Sequence, residues 1–239
     1  MYSHKKWPIE RALGMFDFLV SPVAMYASEV WAPLMIPKKC FRDKNSLLAS
    51  WESFQPELLN QRLCRLLLSV HKKSSRLAVL GELGRYPMII RALTQALKYE
   101  WHLEYIVSPN SLIKLALAEM KDMYTNSIDC WYTRIAKMKT LLSIDNFSRR
   151  AYRYKPDTIG MKISKTLKDK FATFWKQEIS REKIDLNGMN RNKLRLYQKF
   201  KSSFAQEPYI DGGGQDPPLN HQITNFFVPK SPNHQLFLA

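Results

Sequence analysis

The histidines, cysteines and carboxylates of this 239-residue chain are spaced in ways that assemble no catalytic or metal centre. His4, His71, His102, His221 and His234 include no His-Glu-x-x-His pair, the spacing that sets two imidazoles on one helix face for zinc. Cys40, Cys64 and Cys130 are odd in number and far apart. A disulfide framework or a Cys-x-x-Cys clip is therefore not expected, and reduced thiols in an intracellular protein are. Two-metal phosphoryl transfer needs clustered carboxylates, which polymerases supply as adjacent aspartates, yet no two acidic residues here are neighbours. There is no Gly-x-Ser-x-Gly elbow and no Gly-Lys-Ser/Thr loop; Gly81-Glu82-Leu83-Gly84 reads as a turn with a helix stop. The expectation is a protein that is not an enzyme and carries no cofactor and no metal.

The chemistry that remains is contact with phosphate. Thirty-seven Lys and Arg face 21 Asp and Glu, a formal charge of +16, which draws polyanions. The excess is uneven, since residues 134–204 hold 19 basic and 6 acidic side chains. Within that section Arg149, Arg150, Tyr152, Arg153, Tyr154 and Lys155 interleave charge with rings, suiting phosphate contact plus stacking. Lys162, Lys165 and Lys168 follow, with Lys170 and Lys176 beyond them. Then come Arg191, Lys193, Arg195, Lys199 and Lys201, placed on the face away from Leu194 and Tyr197. The competing reading is an ordinary solvated lysine face. The expected partner is nucleic acid, RNA or an RNA–DNA duplex, bound without base specificity.

The elements that would position these residues are helices. Glycine is scarce, with 8 residues, while Leu, Lys, Arg, Met and Ala are common. The pattern predicts helices over 9–19 and 23–31, joined at Ser21-Pro22, with Pro33 and Pro37 closing the section. A polar loop is expected over 38–50. A helix from Pro56-Glu57 should turn Leu58, Leu59, Leu63, Leu66, Leu67 and Val70 to a core. Short helix 76–83 is followed by a longer one from Pro87 to about Tyr105, then by one capped at Asn110 or Ser111. Helices over 129–142, 164–184 and 190–204 complete an all-α, irregular bundle of about seven to nine helices. Residues 143–163 are expected as loop. Residues 207–239, rich in Gly and Pro, are expected as a disordered C-terminal tail.

Four stretches together carry a resemblance. They are Met15 to Trp31 (MFDFLVSPVAMYASEVW), Arg65 to Lys73 (RLLLSVHKK), Gly81 to Pro87 (GELGRYP), and Lys193 to Phe204 followed by Glu207-Pro208-Tyr209. In this order they resemble the region after the palm in non-LTR (LINE-like, jockey-like) retrotransposon reverse transcriptases. The resemblance implies a thumb-like region over 9–108 and a basic linker-like region over 109–206, in a fragment that grips primer–template or template RNA. The palm's aromatic-x-Asp-Asp motif is missing, so the resemblance implies no polymerase activity, and the family's Tyr-Gly is here Tyr26-Ala27. Glu29, Trp31, Glu82, Gly84, Arg85 and Pro87 match family motifs and read as structural. A second reading makes the chain a helical interaction module, or a remnant without function, whose apolar residues 9–36 pack on a missing polymerase palm. No membrane partner is expected, since no stretch reaches the ~20 apolar residues of a span. No signal peptide is visible, so the expected place is intracellular, with nucleus and cytoplasm undecided.

Overall fold

A computed structural model describes residues 8–144 and 156–181, together with 194, 197–201 and 203–207. The α-helices, in chain order, are α1 (Ile9–Met15), α2 (Ser21–Ala24), α3 (Ser28–Met35), α4 (Lys44–Ala49), α5 (Gln55–Leu67), α6 (Arg76–Glu82), α7 (Met88–Tyr105), α8 (Leu112–Thr125), α9 (Trp131–Leu141), α10 (Pro156–Ser180) and α11 (Tyr197–Phe200). A π turn, Phe16–Val20, joins α1 to α2, and 3-10 turns occupy Lys38–Arg42 and Ser50–Ser53. Among the described residues there is no strand, and Leu83 and Gln206 form an isolated antiparallel bridge. The protein is all-helical, as its composition requires. The expected tail lies outside the described residues from 208 onward.

Two compact units divide the chain. The first comprises Met1–Phe16, Leu59–Arg85 and Trp175–Ala239. Its centre is α6, where Trp175 Nε1 donates to the Leu77 carbonyl at 2.9 Å and the Tyr197 hydroxyl to that of Ala78 at 3.3 Å. A Cβ on Gly81 would stand 2.6 Å from the Trp175 ring, so only glycine fits. Gly84 ends α6 at φ +57°, and a Cβ there would meet the Gln206 amide at 2.5 Å, so its left-handed role is joined to a close backbone approach.

The second unit comprises Asp17–Leu58 and Tyr86–Phe174. Its axis is α7, which buries Ile89, Leu93, Ala96, Leu97 and Trp101 on one face and packs against α3, α8 and α9. Both ends of α7 are capped from elsewhere. Pro87 at the N-cap offers no side-chain acceptor, and the Glu57 carboxylate takes the Met88 N–H at 2.7 Å instead. At the other end Lys114 Nζ donates to the carbonyls of Leu103 and Glu104 at 3.0 and 2.6 Å. An anion at the start and a cation at the finish both complement the helix dipole.

Several expectations are corrected. Ser21-Pro22 does not separate two helices: Pro22 lies in the first turn of α2, where its missing N–H costs nothing. The break falls at Ala27, held left-handed at φ 53°. The stretch 38–50 is helical rather than loop. Asp43 caps α4 by accepting from Ser46 N at 2.9 Å, and Leu47, Leu48 and Trp51 behind it are fully buried. Likewise α10 begins at Pro156, within the expected 143–163 loop, and buries Ile159 and Ile163. The expected leucine stripe of α5 is not its core face: Leu58, Leu59 and Leu66 are exposed and Leu63, Leu67 and Val70 half-buried, while Glu57, Asn60, Gln61 and Cys64 are buried. Phe200 is exposed, and Lys201, expected on a solvent face, is buried, its ammonium on the Ala205 carbonyl and the Glu207 carboxylate.

Candidate protein-docking surface

Residues 18–35 of the second unit turn their largest apolar side chains to solvent. Phe18 is 79% exposed, Val23 78% and Tyr26 82%, with Leu19, Val30, Leu34 and Met35 about half exposed. The buried seam of the same segment is Ser21, Met25, Ser28, Ala32 and Ile36, a spacing of three and four that lays one narrow stripe along the helices. Its small residues let α3 lie close to α7, and its hydroxyls are satisfied there. Arg91 Nη1 donates to Ser21 Oγ at 2.8 Å, and Ser28 Oγ donates to the Gln95 side-chain oxygen. A helix that docks through serine and alanine has no inward place for phenylalanine, valine and tyrosine.

A proline makes the attachment of α3 specific. Pro33 lies inside α3, so the Glu29 carbonyl loses the N–H it would otherwise receive. Trp131 Nε1, at the start of α9, supplies that bond at 2.9 Å. The C-terminal carbonyls of α3 are met by Arg134, whose Nη1 reaches those of Pro33, Leu34 and Ile36 at 3.4, 3.2 and 2.6 Å. The other edge of the guanidinium pairs with Asp129 through Nε and Nη2 at 3.0 and 2.8 Å, and Lys38 adds a contact to Asp129 at 3.0 Å. The hydrogen bond from Arg134 holds the Asp129 carboxyl well below the ordinary carboxylate range, against partial desolvation, with Lys38 assisting. A folded value depressed in this way stabilises the fold above the unfolded carboxylate range. That contribution is lost as pH falls through it toward the folded value.

A second apolar surface stands on α8, which buries Leu117 and exposes Leu112, Ile113, Leu115, Met123 and Tyr124. Soluble monomers rarely expose contiguous apolar patches larger than a few hundred Å². The arrangement suits recognition of apolar segments. Among the described residues no group of three or more His, Cys, Asp or Glu could hold a metal ion. No single helix is long and apolar enough to cross a membrane.

The residues singled out in the sequence fall in three groups. Arg149, Arg150, Tyr152, Arg153, Tyr154, Lys155, Arg191, Lys193 and Arg195 lie outside the described residues. Lys162, Lys165 and Lys168 stand on α10, the last with its ammonium 5.4 Å above the Tyr86 ring. The motif residues occupy framework positions. Trp31 stacks on Phe54 at 5.7 Å and donates to the Tyr26 carbonyl, and Glu29 offers its carbonyl to Trp131. The buried Glu82 receives the Glu207 N–H on its backbone oxygen. Arg85 donates to Asn60 and covers the Phe16 ring, Gly84 turns left-handed, and Pro87 opens α7. The exposure of residues 18–35 could be suspected from their apolar run. The inward polar face of α5 had no signal in the hydrophobic period.

Comparison with known proteins points away from a reverse transcriptase. The chain is 28% identical over 120 residues to prefoldin subunit beta of Thermococcus kodakarensis, a match covering half of this chain and 86% of that protein. No family model matches, and no solved structure matches. The prefoldin match overturns the retrotransposon resemblance, and with it the expected RNA or RNA–DNA partner and the missing polymerase palm. Side chains counted toward the positive section are also neutralised in place, with Arg134 on Asp129 at 2.8 Å, Lys139 on Glu100 at 2.9 Å and Lys201 on Glu207. Net charge counts residues, whereas a phosphate backbone requires unpaired ones on one surface.

Proposed function

We propose that this chain is a helical protein-binding module that captures apolar segments of another polypeptide on residues 18–35. The observation that carries this reading is the near-complete exposure of Phe18, Val23 and Tyr26 on a segment whose small and hydroxyl side chains face inward. Support comes from the similarity to a prefoldin subunit, prefoldin being a helical chaperone. The likeness does not extend to a coiled-coil seam in α10. Its buried residues Ile159, Ile163, Leu167, Phe171, Trp175 and Ile179 follow one another at steps of four, with Phe174 buried beside them, whereas a heptad seam regularly alternates threes and fours. Binding would therefore use an apolar surface of an irregular helical body. An intracellular setting fits the free thiols of Cys40, Cys64 and Cys130.

The test is suppression of aggregation. A chemically denatured client is diluted with and without the full chain, and light scattering is followed. The chain is expected to lower scattering, and joint replacement Phe18→Ser, Val23→Ser and Tyr26→Ser to abolish most of that effect. Because all three side chains are exposed, the variant should keep its helical circular dichroism. Equal suppression by variant and parent would overturn the proposal.

A further inference from the structure

We infer that the exposed face of α8 docks a basic amphipathic helix of a partner protein. Leu112, Leu115, Ala116, Glu119 and Met123 are all exposed. Their steps of three and four align them along the side of α8 away from the buried Leu117. Leu112 is 82% exposed, and Leu115 and Met123 about half. This is the spacing of a seam that packs against a second helix, and here it faces solvent.

The geometry of the face selects a helix, and its charge selects the sign of that helix. Ala116 makes a shallow floor among Leu112, Leu115 and Glu119, the four positions that form one hole for a knob of a facing helix. From Leu112 to Met123 the seam runs ~17 Å, about three turns at 1.5 Å per residue. α8 carries two lysines, and both are drawn off the face. Lys121 Nζ lies 2.7 Å from the Glu104 carboxylate, and Lys114 Nζ bonds to the carbonyls of Leu103 and Glu104. Glu119 and Asp122 remain on the exposed side, and among the described residues no cation pairs with either. They stand three residues apart, so they repel one another on one side of the helix. Asp122 is also in the last turn, where the helix dipole disfavours an anion. The stability of α8 accounts for neither carboxylate. Lys or Arg flanking the apolar seam of a facing helix would relieve both, and such complementarity governs specificity and association rate. This inference rests on the reading of the chain as a protein binder but uses a different surface.

Fluorescence anisotropy with the full chain tests it. The probe is a labelled peptide of about 18 residues, long enough to populate a helix, with leucine at seam spacing and lysine flanking it. Its control has glutamate in place of each lysine. The lysine peptide should bind about tenfold more tightly or better, although the chain as a whole is strongly positive. Glu119→Lys with Asp122→Lys should reverse that preference, and Leu112→Ser with Leu115→Ser should weaken binding of both peptides. All four side chains are exposed, so circular dichroism should be unchanged. The Phe18→Ser, Val23→Ser and Tyr26→Ser variant should bind the lysine peptide like the parent, which separates failure of this site from failure of the apolar surface over 18–35. Equal or tighter binding of the glutamate peptide, indifference to the charge reversal, or loss of binding in the Phe18, Val23 and Tyr26 variant alone would each overturn the assignment. So would a dimer of the chain itself that dissociates when Leu112 and Leu115 are changed, since a second copy would then own the face.

Discussion

Helices α5 and α7 use opposite rules for what to bury. α7 turns Ile89, Leu93, Ala96, Leu97 and Trp101 inward, as hydrophobic periodicity demands. α5 turns Glu57, Asn60, Gln61 and Cys64 inward and leaves Leu58, Leu59 and Leu66 in solvent. Two of the contacts behind this inversion serve backbone and charge. Glu57 caps the start of α7, and Asn60 receives the Arg85 guanidinium. A helix terminus carries orphan N–H groups that must find acceptors, and Pro87 at the N-cap supplies none. The carboxylate one helix away becomes more valuable inside than a leucine would be.

The sharpest way to break this contrast is to truncate one leucine from each helix. Leu93 is buried on α7 and Leu66 is 75% exposed on α5. Leu93→Ala should cost about 2–5 kcal/mol through lost transfer energy and a residual cavity. Leu66→Ser should change stability by no more than about 0.5 kcal/mol. Urea denaturation followed by circular dichroism measures both. A loss of several kcal/mol from the Leu66 change would mean that the leucine face is buried after all.

The polar face of α5 predicts a smaller effect of its own. Glu57→Ala leaves the Met88 N–H without its carboxylate acceptor. The expected cost is about 1–3 kcal/mol, the penalty of a buried donor without a partner. Hydrogen exchange adds the location, because protection should fall first in the opening turn of α7. A uniform loss of protection across α7 would show Glu57 to be filling space instead of capping.

Most helices were legible in the sequence, and so was much of the core, but α4 and the first two turns of α10 fell in stretches expected as loop. Pro87, Ser111 and Gly84 marked α7, α8 and the end of α6 through the chemistry of proline, serine and glycine at helix ends. Leu167, Phe171, Phe174 and Ile179 faced inward as their spacing indicated. The exposed apolar face of residues 18–35 was legible only as an apolar run over 9–36, because no periodic signal says that serine and alanine will form the inward seam of α3. Lys98 was visible as charge, but its pairing with Asp157, 59 residues away, is tertiary information. Lys201 shows the same limit, since a lysine in a basic run carries no mark that a nearby glutamate will bury it.

Helix endings supply the smallest effect. Ile128 N–H bonds to the Met123 carbonyl and Ser127 N–H to that of Tyr124, the paired bonds of a Schellman ending. The residue at its left-handed position is Ser127, at φ 60°, and Ser69 and Ser143 adopt the same conformation after α5 and α9. Left-handed backbone costs a residue with a Cβ roughly 1–2 kcal/mol, while glycine gives part of that back through unfolded-state entropy. Ser127→Gly should therefore raise stability by about 0.5–1 kcal/mol, read as a higher urea midpoint at unchanged slope. The leucine pair tests which face is buried, and this substitution tests how the helix stops. A lower midpoint would mean that the serine hydroxyl contributes more at that ending than its Cβ costs.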